Sequence, residues 1–228
     1  MYETVSVILE RVRTLYSIDR FRADVRKVLA EQMLSLFQRY PQLIVDLRKE
    51  LLEFVGTRRN VGDGREEFFV HVVWVIGEYA GPTLDPRCTN EIIDQYHEVL
   101  ELFAYEINAL VDDGGAADGG QYSAVHTARL MTVLMFALSK LATRCQDLIP
   151  RVALCLTKII KQHSKTSADV QGQHAVLERA TQLVRTLQRP SVAAAVLARS
   201  GTETTAADLR HSDPTSSLAL LRFSAVGQ

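Results

Sequence analysis

The sequence predicts an all-α chain: an irregular stack of antiparallel helix pairs, with a disordered tail near the C-terminus. Three observations carry this. Apolar residues recur at three- and four-residue intervals in segment after segment. Connectors bearing proline or glycine separate those segments at short range. No series of short apolar/polar alternations reads as a set of strands.

In the first segment Val5, Ile8, Leu9, Val12, Leu15 and Tyr16 form one apolar stripe, with Arg11 and Arg13 outside it. Beyond the "SID" break, Phe21, Val25, Val28, Leu29 and Leu36 mark a second helix, which Pro41 ends. Pro41 also suits the first turn of a third helix, striped by Leu43, Ile44, Leu47, Leu51, Phe54 and Val55. A polar connector follows from Gly56 to Gly64.

The next stretch, "REEFFVHVVWVIGEYAG" (65–81), is apolar around almost the whole helix circumference. That predicts an inner helix covered by neighbours on several sides. At ~1.5–3 kcal/mol for each large buried side chain it would be a major anchor of the stack. Gly77 would let another helix approach closely, despite costing about 1 kcal/mol of helix propensity. Glu78 and Tyr79 would hold polar contacts where the helix ends, near Gly81.

"GPTLDPRCT" then interrupts, and Thr89 or Asn90 is suited to cap the following helix. That helix has the cleanest stripe: Ile92, Ile93, Tyr96, Val99, Leu100, Phe103, Ile107, Leu110 and Val111. "DDGGAADGG" reads as a flexible tether. A helix from Ser123 carries Met131, Leu134, Ala137, Leu138 and Leu141, and Asp147 is placed to cap the next one, with Pro150 tolerated in its first turn. Further helices cover about 173–188 and a short piece after Pro190. The expected organisation is a helical-repeat segment over 1–111, a Gly/Asp linker over 112–122, a continuation of the same solenoid over 123–199, and a mostly disordered tail over 200–228. The irregular period fits an α-solenoid of HEAT/ARM-like repeats better than a strict consensus array. A closed helical bundle is the alternative.

Composition narrows the function. A chain of 228 residues with 47% hydrophobic and 23% charged content can bury a core without disulfide or metal staples. Its three cysteines, Cys88, Cys145 and Cys155, are odd in number and lack CxxC spacing, which fits a reducing compartment and a cytoplasmic location. No apolar run approaches the ~18–20 residues that span a bilayer, and the N-terminus lacks the apolar core and cleavage site of a signal peptide. Charge is uneven. Residues 1–60 hold 11 Lys/Arg against 8 Asp/Glu, residues 61–120 hold 2 against 13, and residues 121–228 hold 13 against 6. An acidic middle between basic flanks can steer docking, or it can be the solvated face of several helices.

Catalytic signatures are scarce. The sequence contains neither GxxxxGK[ST] nor GxSxG, so no phosphate loop or nucleophile elbow is expected. Cys145 and Cys155 lie in apolar segments and read as core thiols. Glu67 with His71 and Asp94 with His97 are spaced to share a helix face, but the further carboxylates of a carboxylate-bridged centre are not apparent. No metal and no cofactor are expected.

Glu91, Asp94, Glu98 and Glu101 follow a 3-4-3 spacing and form an acidic stripe. It reads either as a solvated face or as a docking surface for a basic partner, which the same chain could supply. "LIVDLRK" (43–49) approximates a clathrin-box peptide, but it ends in Arg48 where an acid is expected, and its apolar residues are needed on a helix face. Arg11, Arg13, Arg20, Arg22, Arg26 and Lys27 give local positive density interleaved with acids, so no direct nucleic-acid binding is expected.

Trp74, Gly77, Glu78 and Tyr79 make a WxxGEY pattern that resembles one in the helical trunks of adaptor-protein large subunits. The longer stretches "HVVWVIGEYAG", "DPRCT", "TVLMFALSKLATRCQDLIPRVALCLTKI" and "RPSVAAAVL" resemble the C-terminal part of the zeta subunits of the fifth adaptor protein complex, over about residues 65–198. That resemblance implies a non-enzymatic subunit of a membrane coat in endosomal and lysosomal vesicle transport, working without clathrin. It implies beta, mu and sigma subunits as partners, together with spatacsin and spastizin. Location would be peripheral on late endosomes and lysosomes. An accessory role in homologous-recombination DNA double-strand break repair, with a nuclear pool, is the alternative. The resemblance carries over Trp74, Gly77, Glu78 and Tyr79 as scaffold residues and brings no catalytic ones. Family members are several times longer than this chain.

Overall fold

The computed structural model describes residues 22–57, 66–112, 124–164 and 173–199, together with Glu3, Val7, Glu10 and Arg11. The first predicted helix, the Gly/Asp linker and the C-terminal tail therefore lie almost wholly outside the described residues. The same holds for most of the N-terminal basic side chains. Among the described residues every regular element is helical: α1 (Arg22–Arg39), α2 (Leu43–Asp46), α3 (Arg48–Gly56), α4 (Glu66–Tyr79), α5 (Asn90–Asp112), α6 (Ala124–Arg144), α7 (Ile149–His163), α8 (Gln173–Leu187) and α9 (Pro190–Arg199). A 3-10 turn, Gln146–Leu148, joins α6 to α7.

The helices stack as successive packed pairs. Helix α1 lies on α4, α4 on α6, α5 on α6 and α7, and α7 on α8. Helix α6 is the hub, touching α4, α5, α7, α8 and α9. Its residues 130–142 are buried without interruption, so it is an inner helix like α4, although the sequence showed only a stripe there. The polar residues in that run explain the difference. Thr132 Oγ1 and Ser139 Oγ donate to the carbonyls of Ala128 and Met135, both at 2.7 Å, so neither hydroxyl needs water.

Aromatic rings tie the first helices together. Phe54 of α3 meets Phe68 and Phe69 of α4 at 5.5 and 6.2 Å, and Phe69 meets Phe103 of α5 at 4.8 Å. Tyr96 of α5 donates its buried hydroxyl to the Ile44 carbonyl at 2.6 Å, fixing α2 against α5. The loop before α5 is held by Arg87, which donates to Asp85 at 2.8 Å and to Asp46 at 2.9 Å. The guanidinium holds the Asp85 carboxyl below its usual range.

Three local expectations need correction. Val28 is 55% exposed, because it falls on the side of α1 opposite the buried Met33, Leu34 and Phe37, the last of which meets Tyr79 of α4. The single helix expected over Leu43–Val55 bends at Leu47 (φ −104°, ψ 18°), which separates α2 from α3 while Leu43, Ile44, Leu51 and Phe54 all stay buried. Asp147 does not cap α7. It sits inside the 3-10 turn, so Leu148 occupies the cap position and makes no side-chain cap bond. Pro150 is in the first turn of α7, where its missing N–H costs nothing.

Candidate functional site

Two places gather the residues singled out in the sequence: the joint between α4 and α6, and the charged outer side of α5 and α7. At the joint, the backbone of α4 lies directly against α6. A Cβ on Gly77 would stand 2.8 Å from Ala137 Cα and 2.9 Å from Ala137 Cβ, closer than real carbon contacts allow. Only glycine fits at this crossing. Trp74 is half-buried beside it, and Tyr79 places its ring 6.3 Å from Trp74 and 6.0 Å from Phe37 of α1. Burial raises the Tyr79 phenol above its ordinary pKa, so it stays neutral.

Two cations of α6, one helical turn apart, organise the polar end of α4. Lys140 pairs with Glu78, and both are buried. Burial, followed by the neighbouring Arg144 guanidinium, pushes Lys140 down to about 7. Arg144 donates from Nη1 to the carbonyls of Gly77 at 2.8 Å and Ala80 at 2.7 Å, and from Nη2 to the Glu78 carbonyl at 2.7 Å. These are the last-turn carbonyls that a helix end leaves without intrahelical partners. They also form the negative end of the helix dipole, where a cation is stabilising. Burial lowers Arg144 to about 10, so it remains charged at neutral pH. Gly81 leaves room for the clamp, since a Cβ there would stand 2.6 Å from Arg144 Cδ.

Sequence reasoning missed Lys140 and Arg144. The available signal was two cations at i,i+4 following the apolar run Val133–Leu138 of α6, where a buried charge demands partners. The recess between Trp74, Val133, Phe136, Ala137 and Lys140 measures about 20 Å³, room for a water rather than an organic ligand.

Along α5 the four predicted acids separate into two pairs. Asp94 and Glu101 face α7, where Arg151 donates to Asp94 Oδ1 at 3.1 Å and to Glu101 Oε2 at 2.8 Å. Glu91 and Glu98 lie on the exposed edge. Further along, Tyr105 Oη donates to Glu101 Oε1 at 3.4 Å, and Lys158 of α7 stands 4.4 Å over the Tyr105 ring. The stripe thus meets a basic partner within the chain at two of its four positions. His97 is fully buried, with Nδ1 3.9 Å from Glu101 Oε2, beyond hydrogen-bond reach. Burial lowers its pKa. His71 is buried in α4, and the Glu67 side chain lies outside the described residues. Among the described residues, no group of three or more His, Cys, Asp or Glu side chains is placed to hold a metal. All three thiols are buried and unbridged, and burial raises each of them, Cys155 to about 12, so that the Cys155 thiol stays protonated at neutral pH.

Among the described residues the arrangement is one of clamps and packed crossings rather than convergent reactive groups. The family model described as "AP-5 complex subunit zeta-1, C-terminal TPR repeats" matches residues 1–225. The chain belongs to this family. It is 39% identical over 191 residues to AP-5 complex subunit zeta-1 of Mus musculus, covering 82% of this chain and 23% of that protein. It is 37% identical over 195 residues to AP-5 complex subunit zeta-1 of Homo sapiens, covering 84% of this chain and 23% of that one. The chain therefore spans about a quarter of the length of these relatives. No solved structure matches it. Membership of the zeta family identifies the stacked helices as C-terminal repeats of an adaptor-complex subunit. Among the described residues no helix is long and apolar enough to cross a membrane.

Proposed function

We propose that this chain is a non-enzymatic scaffold segment of an adaptor-type coat, acting by protein–protein binding in endosomal and lysosomal vesicle transport. The observation that carries the reading is the 37–39% identity to zeta-1 subunits over more than four-fifths of the chain. The packing is in keeping with it, because a glycine-tight crossing and an arginine-clamped helix end fix helix positions and thereby the curvature of a binding surface. The partners are the beta, mu and sigma subunits of the same complex, with spatacsin and spastizin in the wider assembly. Membrane association is peripheral, on late endosomes and lysosomes, and made through the complex. The exposed acids Glu91 and Glu98 are the part of the α5 stripe left for docking.

The test is a pulldown of this chain with co-expressed beta, mu and sigma subunits, using a full-length zeta subunit as the positive control. Co-purification of this chain is the expected outcome. Capture by the control with none by this chain would sink the assembly reading.

A further inference from the structure

The geometry points to a docking surface for a second copy of this chain on the paired outer edges of α5 and α7. The two helices lie side by side and run in the same direction. Arg151 meets Asp94 and Glu101, and Lys158, two turns further on, meets Tyr105. That order sets the relative level of the helices and places Leu102 and Leu154 at about the same height. These are two of the most exposed large apolar residues described, at 60% and 56%.

Their surroundings carry opposite charge. On α5 the exposed edge runs through Glu91, Glu98 and Leu102. On α7 it runs through Arg151, Leu154, Lys158 and Lys161, at three- and four-residue spacing. The result is an acidic ridge and a basic ridge next to each other, each with a leucine at the same level. Such a surface complements itself. A two-fold axis parallel to the helices lays α5 of each copy over α7 of the other, sets Leu102 on Leu154 twice, and brings Glu98 over Arg151. An axis running across the helices instead sets acid on acid, and repulsion disfavours it. A small apolar centre rimmed by matched charges in an isologous arrangement is the expected anatomy of such an association. The proposal uses the same exposed acids, Glu91 and Glu98, as the docking edge of the adaptor reading, but it requires no other subunit, so its test is independent of the pulldown.

Sedimentation velocity of the full chain over a concentration series should show its mass rising from the monomer toward twice that value, and falling back as salt is raised. Leu102→Glu and Leu154→Glu should each weaken the dimer at least about tenfold, with unchanged circular dichroism. Oxidation should link a Leu102→Cys chain to a Leu154→Cys chain in a mixture more efficiently than either variant links to itself. The native thiols are buried and do not interfere. A chain that stays monomeric across the series overturns the proposal. So does a dimer untouched by both leucine variants, or one that crosslinks only between identical positions.

Discussion

At the scale of single residues, Gly77 and His163 lead to opposite kinds of prediction. Gly77 has no space for a side chain, so Gly77→Ala gains up to about 1 kcal/mol of helix propensity and loses ~1–3 kcal/mol to overpacking against Ala137. The expected net effect is a lower thermal midpoint by circular dichroism. Gly77→Leu is expected not to fold, and soluble Gly77→Leu protein melting normally would refute the packing account. His163 is a matter of protonation. It is buried in the last turn of α7 with neither ring nitrogen hydrogen-bonded, and burial lowers its pKa from 6.5. The unfolded chain therefore takes up the proton first as pH falls. Stability is present above about 6.5 and declines below it, by up to about 1.4 kcal/mol per pH unit. Urea midpoints measured down to roughly pH 5 should fall in the parent chain, with buried His97 adding in the same direction. His163→Leu should flatten the slope, and an unchanged slope would rule out His163 as its source.

At the scale of elements, the joint between α4 and α6 depends on Arg144 as much as on apolar burial. Arg144→Ala removes three donors from the carbonyls of Gly77, Glu78 and Ala80. At about 1–3 kcal/mol for an unsatisfied buried polar group, the loss should reach at least about 3 kcal/mol. Amide exchange at Tyr79 and Ala80 should accelerate as the last turn of α4 frays. Arg144→Lys should recover only part, because an ammonium lacks the fork that reaches three oxygens. Exchange unchanged in Arg144→Ala would show that the clamp is dispensable.

This joint also marks how far the sequence could be read. The inner position of α4 was legible because its apolar residues surround the helix. The inner position of α6 was obscured by Thr132, Ser139 and Lys140, whose partners are local carbonyls and Glu78. Arg144 was illegible in a stronger sense: its acceptors are main-chain oxygens, which any residue supplies, so nothing at positions 77, 78 and 80 spells out the contact. The exposure of Val28 was hidden because spacing alone does not say which side of a helix meets its neighbour.

At the scale of the whole molecule, the described helices share one continuous core, and α6 touches five of the others. A stack joined only through nearest neighbours can unfold piecewise, whereas a hub couples its neighbours. Urea unfolding followed by the fluorescence of Trp74, the single tryptophan, should therefore coincide with unfolding followed by far-UV circular dichroism. Separate transitions would show that the stack comes apart in sections. The arginine clamp has a further consequence, for the order in which the protein is made. The Ala80 carbonyl leaves the ribosome 64 residues ahead of the guanidinium that binds it. At ~5–20 residues per second, that is roughly 3–13 s of synthesis. Throughout that interval α4 exists as a nascent helix with an unfinished end, its last carbonyls awaiting Arg144 and, for most of it, its Gly77 side awaiting Ala137. A ribosome stalled just short of Arg144 would hold the chain in the state most attractive to chaperones.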